Sequence, residues 1–147
     1  MADRFELDPR LAADTFLVGE TPLSQVLLMN DARYPWLILV PRRAGITEPF
    51  ELSPSDQEQL WHESMRLGQV MKAHFAADKI NIATLGNQVA QLHVHHIARF
   101  HVDAAWPAPV WGVGSAVPYD EAVAEQLTHD LRSRLQHPLS LTEATHG

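Results

Sequence analysis

Four of the nine histidines in this 147-residue chain, His93, His95, His96 and His101, fall within nine consecutive positions. The stretch Gln91-Leu92-His93-Val94-His95-His96-Ile97 alternates in type, and in extended backbone successive side chains point to opposite faces. Gln91, His93 and His95 are therefore expected on one face, and Leu92, Val94 and His96 on the other. Same-face neighbours along a strand stand roughly 6–7 Å apart, so two imidazoles would project side by side into a cleft able to receive one anionic group. Three chemistries compete for such a row. The histidines can be hydrogen-bonded structural groups of a half-buried strand. A His-x-His pair can ligate Zn²⁺ or another divalent ion, although no Asp or Glu interleaves the cluster and Asp103 follows it. A neutral imidazole nitrogen can also attack phosphorus, giving a covalent intermediate that water opens. The second ring would then handle the leaving-group proton or the phosphoryl charge.

Such a row needs rigid elements beneath it. The first fifteen residues show no clear periodicity, although Leu7, Leu11, Phe16 and Val18 can dock on a core. Gly19–Pro22 reads as a turn, Ser24–Met29 as a strand, and Trp36–Val40 as a buried strand closed by Pro41, the two forming an antiparallel hairpin. Ser53-Pro54-Ser55-Asp56 reads as a helix start. The spacing of Leu60, Ser64, Leu67, Met71 and Phe75 then predicts one buried stripe along a helix running to about Ala76. Lys79–Thr84 and Ala90–Ala98 read as strands joined through a turn at Gly86-Asn87-Gln88. Trp106–Gly114 is too rich in Pro and Gly for regular structure. A last helix is predicted over 119–135, and the tail beyond His137 reads as frayed. The expectation is a single α+β domain spanning 1–147. Its core would cover about 16–112, an antiparallel sheet of about five strands packed by one long helix, with a C-terminal helix following.

Composition narrows the partners. The chain is 46% hydrophobic and 20% charged, with 11 Lys and Arg against 18 Asp and Glu for a net charge of −7. No basic block accompanies that balance, so a general binder of nucleic acid or of anionic membrane is not expected. The absence of cysteine excludes disulfides, zinc thiolates, iron–sulfur clusters and thiol nucleophiles. The polar start carries no secretory pattern and no apolar run is long enough to cross a bilayer, so a cytoplasmic location is expected.

The run Gly86-Asn87-Gln88-Val89-Ala90-Gln91-Leu92-His93-Val94-His95-His96-Ile97 resembles the signature of the histidine triad (HIT) superfamily, His-apolar-His-apolar-His followed by two apolar residues. The resemblance extends to Trp36–Pro41 with Arg42-Arg43, to the helix begun at Ser53, and to Trp106-Pro107. It covers roughly Ser24 to Gly112, and the pattern is similar to short bacterial HIT proteins resembling dinucleoside polyphosphate hydrolases. It implies a nucleotide phosphohydrolase or nucleotidyl transferase acting at the α-phosphate of a purine nucleotide conjugate, a nucleoside phosphoramidate or a dinucleoside polyphosphate. It further implies His93 as nucleophile and His95 as the group that contacts the phosphoryl or assists the leaving group. Asn87, Gln88 and the amide of Val89 would hold phosphate oxygens, with Asn81 a further candidate. By position Asn30 or Asp31 would hold ribose hydroxyls, though the pair reads equally as an ordinary turn. No protein-held metal is implied, Mg²⁺ arriving with a polyphosphate substrate, and a homodimer is implied.

Three positions depart from the pattern. Gln91 stands where the first histidine is expected, in the catalytic row, and can hydrogen-bond but not titrate. His96 occupies a normally apolar site and reads as a satisfied structural histidine. Trp36 stands where many members carry another histidine. Arg42, Arg43 and Arg99 are candidates to offset phosphate charge, or plain solvated cations. A nucleotide-binding module without turnover and a His-ligated metal hydrolase remain the other readings.

Overall fold

Ser24–Met29 (β2) and Trp36–Pro41 (β3) form the expected hairpin, and every residue of β3 is buried. They lie at the centre of a five-stranded antiparallel sheet of order β1-β2-β3-β5-β4 in the computed structural model, which describes residues 4–136. The outer strands are β1 (Thr15–Glu20) and β4 (Lys79–Ala83), and β5 is Val94–Arg99. The architecture is the expected α+β one, and the positions called frayed beyond His137 lie outside the described residues.

Two boundaries differ from the sequence reading. The chain does not turn at Gly19: β1 pairs with β2 through Glu20, and an irregularity between Leu17 and Gly19 places Val18 in a bulge. A bulge needs local backbone freedom, which explains a glycine inside a strand. The turn comes at Thr21, whose hydroxyl donates to Ser24 O and accepts from Ser24 N. The second difference is that β5 begins at Val94, after His93. Its ladder with β3 ends at Leu39–Val94, next to Val40 and Pro41, and a proline has no N–H to extend it. Ahead of β5 the chain bends at Gln91 and is unpaired in the sheet, held by Leu92 N donating to Ile46 O at 2.9 Å.

The long helix α2, Pro54–Phe75, starts as predicted: Ser53 Oγ accepts from Asp56 N at 3.2 Å, Pro54 occupies the first turn and Ala76 ends the helix in the left-handed region at φ 53°. Leu60, Ser64, Leu67 and Met71 are buried against the sheet, alongside Val26, Leu28, Leu37, Leu39, Val94 and Ala98. Burying each large apolar side chain there contributes about 1.5–3 kcal/mol. The C-terminal helix α3, Glu121–Leu135, buries Ala124 and Leu131 next to β1 and leaves Val123 exposed.

Among the described residues no long helix covers the opposite face of the sheet. Trp36, Ile38, Val40, Ile97 and Leu27 are covered there by Leu11 on the short helix α1 (Pro9–Asp14), by Phe5 and Leu7 before it, and by Ala105 and Val110 of the segment after β5. Arg99 anchors that segment. It is 2% exposed, donates to Asp103 through Nε (2.8 Å) and Nη2 (3.1 Å), to Asn81 Oδ1 (2.8 Å) and to Ala108 O (2.8 Å). Burial works to raise the Asp103 pKa, but Arg99 and the N–H groups of Phe100 and Trp106 outweigh it and hold the carboxyl at about 2. A buried pair this fully bonded fixes the loop that leads to Trp106 and Trp111.

Candidate active site

Side chains of β5 divide as alternation requires. Val94, His96 and Ala98 meet α2, whereas His95, Ile97 and Arg99 meet the face covered by loops. His93 and His95 stand side by side on that second face, ring centroids 4.8 Å apart and planes at 75°. The expected row of two imidazoles is therefore present.

Hydrogen bonds assign the protons. His93 Nδ1 lies 2.6 Å from Gln91 O. A carbonyl only accepts, so His93 carries its proton on Nδ1, and in the neutral ring the Nε2 lone pair is left without a partner among the described residues. In His95 the assignment is reversed. Trp36 Nε1–H, which only donates, gives its hydrogen bond to His95 Nδ1 at 3.0 Å. The neutral His95 ring therefore holds its proton on Nε2, where it can donate. Burial, then the neighbouring His93 and His96, push His95 down to a pKa of about 3, so the ring is neutral near pH 7.

The rings are more enclosed than an open cleft would leave them. His93 is 6% and His95 4% exposed. The cover is aromatic: Trp36 packs 5.6 Å and Trp111 5.0 Å from His95, the two indoles edge to face at 5.7 Å. Trp111 is itself 37% exposed, so it forms the outer wall. The positive φ of Gly112 (81°) and Gly114 (62°) turns the chain just after it.

His96, one residue on, is a different kind of histidine. It has no exposed surface, its Nδ1 donates to Val94 O at 3.1 Å, and its Nε2 accepts from Ser64 Oγ at 2.7 Å. Burial holds it down to about 4. Both nitrogens are engaged, and the expectation of a satisfied structural histidine matches this geometry.

The remaining predicted residues separate. Gln91 does not extend a polar row along β5. Its Oε1 accepts from Asp8 N (2.8 Å) and its Nε2 donates to Glu6 O (2.8 Å), so its side chain fastens the N-terminal segment across the sheet. What Gln91 gives to His93 is its backbone carbonyl, which any residue supplies, and that is how an amide can stand where a histidine is expected. Asn87 and Gln88 are exposed on the turn entered at Gly86 (φ 92°), and Val89 packs against the core of the loop-covered face. Asn81 accepts from Arg99 and belongs to the loop anchor. Asn30 Oδ1 accepts from Tyr119 N (2.8 Å), and buried Asp31 accepts from Arg33 and Val117, so both carry the turn.

Arg42 and Arg43 pair with Glu20 and Asp56. Together with buried Arg99, all three candidate cations are held by protein carboxylates. Sequence reasoning missed two groups. Arg10 donates to Gln88 O at 3.3 Å, placing a cation against the turn before the histidines, with no motif to announce it. Trp111 was legible only as part of an irregular segment. A cavity of about 460 Å³ lies elsewhere, between β1, α2 and α3, and is lined by none of the predicted site residues. Among the described residues no three His, Cys, Asp or Glu side chains gather as metal ligands, and no helix is long and apolar enough to cross a membrane.

A five-stranded sheet with one long helix, and paired imidazoles at the start of β5 with a free nitrogen on each, define a class of histidine-centred α+β domain. The HIT domain family matches residues 10–102. Three bacterial histidine triad proteins of known structure are similar over nearly their whole lengths. The Bradyrhizobium japonicum protein is 45% identical with a TM-score of 0.87, covering 90% of this chain and 98% of its own. That from Marinobacter aquaeolei is 47% identical with a TM-score of 0.84, covering 95% and 98%. That from Sinorhizobium meliloti is 47% identical with a TM-score of 0.83, covering 91% and 96%. No curated protein matches. The chain belongs to the HIT family.

Proposed function

We propose that this protein is a nucleotide phosphohydrolase or nucleotidyl transferase that works through a nucleotidyl–His93 intermediate. The observation that carries the reading is the hydrogen bond from His93 Nδ1 to Gln91 O, which directs the lone pair to Nε2. In the first step that pair forms a bond to the α-phosphorus while the bond to the leaving group breaks and the leaving group keeps its electrons. In the second, water oxygen attacks phosphorus, the Nε2–P pair returns to His93, and the water proton passes to solvent. The Nε2–H of His95 donates to a phosphoryl oxygen as charge develops. The turn of Asn87, Gln88 and the Val89 amide supplies donors to phosphate oxygens, with Arg10 beside it. Mg²⁺ enters as the companion of a polyphosphate.

The substrate class is a purine nucleotide conjugate, a dinucleoside polyphosphate or a nucleoside phosphoramidate, reached past Trp111. A homodimer is part of the reading, supported by the edge strand β4, paired only with β5 and carrying exposed Ile82, with Leu85 exposed just beyond it. A cytoplasmic site of action completes it.

The test is turnover on a panel of nucleotide conjugates, with nucleotide binding followed by calorimetry. His93→Ala is expected to lose hydrolysis by on the order of 10³-fold or more while still binding nucleotide. Undiminished turnover in that variant contradicts the assignment. Binding by the unaltered protein with no turnover of any conjugate favours the non-catalytic module instead, a reading to which the low exposure of both rings lends support.

A further inference from the structure

Resting on that reading, we infer that Trp36 selects the leaving group: by fixing His95 in its Nε2–H form, it leaves the site without an acid and restricts the substrate to conjugates whose departing half is already a stable anion. The argument begins with the donor at Trp36. An indole N–H can donate but neither accept nor relay a proton, so its 3.0 Å bond to His95 Nδ1 closes the one nitrogen through which His95 could be recharged. An imidazole gives up its Nε2 proton readily only from the doubly protonated ring. With Nδ1 capped by a donor, that ring cannot form without breaking the bond to Trp36.

No neighbouring group takes over the task. On the flanking strands His95 is paired with Ile38 on β3 and Ala83 on β4, and Trp111 packs on it from the loop. None of these titrates. Among the described residues, the titratable groups that act on it are His93 and His96. His93 has its Nδ1 proton bonded to Gln91 O, and its Nε2 is the attacking atom. His96 lies on the far face with both nitrogens engaged. Gln91 could not donate a proton in any case, and its amide is engaged by Asp8 and Glu6. Among the described residues no carboxylate or cationic side chain bonds to either reactive ring.

The consequence falls on the first chemical step. When the bond from phosphorus to the leaving atom breaks, that atom keeps the electron pair. A phosphate, pyrophosphate or phenolate departs with it as a stable anion. An alkylamine would depart as an amide anion unless a proton arrives at nitrogen, and general acid catalysis of that kind contributes about 10²–10⁴-fold. His95 here can hydrogen-bond to the phosphoryl group without delivering that proton. Trp36 acts on the reaction through His95 and is therefore a positioning residue.

The experiment compares kcat/KM for three probes sharing one nucleoside: diadenosine triphosphate, adenosine 5′-(p-nitrophenyl phosphate) and an adenosine 5′-alkylphosphoramidate. The first two are expected to exceed the third by at least about 100-fold. In Trp36→His, which replaces the donor-only indole with a group able to relay a proton, the gap is expected to narrow about tenfold or more. Nitrogen-15 NMR of the unaltered protein reads the tautomer independently of folding or turnover in any variant, and is expected to show His95 protonated at Nε2. An alkylphosphoramidate cleaved as fast as the triphosphate, a gap unmoved by Trp36→His in a folded variant, or a His95 proton on Nδ1 overturns the inference while leaving the nucleotidyl–His93 route intact. Absence of a His93 adduct with all three probes overturns that route, and this inference with it.

Discussion

His95 and His96 are adjacent in sequence, both buried, and both depressed well below the ordinary imidazole range, yet the fold gives them opposite fates. His96 points into the helix-covered face, where Ser64 and Val94 O take both ring nitrogens. His95 points to the loop-covered face, where Trp36 takes one and the other is left over. Burial and residue type do not separate a structural histidine from a reactive one here. The number of ring nitrogens without a protein partner does. The same count explains His93, whose Nδ1 is engaged and whose Nε2 is not.

The comparison breaks most readily on paired substitutions. His95→Phe is expected to lower kcat by about 10²-fold or more, because the donor to the phosphoryl group is gone, and also to lower the thermal midpoint, because the buried Trp36 Nε1–H loses its acceptor. His96→Phe should lower the midpoint while leaving kcat within about threefold, since it touches only the α2 face. Steady-state kinetics beside calorimetric melting reads both, and equal kinetic losses from the two variants would remove the distinction.

Acid titration addresses what the two rings share. Both have folded pKa values below the 6.5 of the free side chain, at about 3 and about 4, so the unfolded chain binds protons that the folded chain refuses. Their stabilising contribution is complete above pH 6.5 and is lost as pH falls towards 4 and then 3. Two such groups give a slope approaching about 2.7 kcal/mol per pH unit between roughly pH 4 and 6, measurable by urea unfolding at stepped pH. A flat profile over that window would mean that the rings charge freely in the folded protein.

Smaller effects sharpen the picture. Ser64→Ala leaves His96 Nε2 without its donor and is expected to cost about 1–3 kcal/mol, with turnover unaffected. Gln91→Ala loses the two bonds to Asp8 and Glu6 but keeps the carbonyl that orients His93. It should cost about 1 kcal/mol of stability and change kcat by less than about threefold. A drop of a hundredfold would place the Gln91 amide in the chemistry after all.

Much of this was legible beforehand because it rests on local pattern. The α2 stripe, the Ser53 cap and the sides taken by His95 and His96 follow from periods of 3.6 and 2. The bulge at Val18 was not legible, since a Gly-Glu-Thr-Pro run has the composition of a turn and only pairing with β2 keeps it in the sheet. Nor were the partners across the fold. Nothing local says that Gln91 would fasten residues 6 and 8, that Trp36 would reach His95 from 59 positions away, or that Arg99 would be sealed by Asp103, Asn81 and Ala108. The sequence supplied the types of the reactive groups, and tertiary packing decided which nitrogen on each stayed free.

That point can be read directly. Protein mixed with a hydrolysable dinucleotide and quenched within a turnover in alkaline denaturant, which preserves a phosphorus–nitrogen bond, should yield, on peptide mass spectrometry, a single nucleotidyl group on His93, with none on His95 or His96. Phosphoramidate NMR should place it at Nε2. An adduct on His95, an adduct at His93 Nδ1, or hydrolysis that proceeds with no histidine modified at any time point would contradict the account.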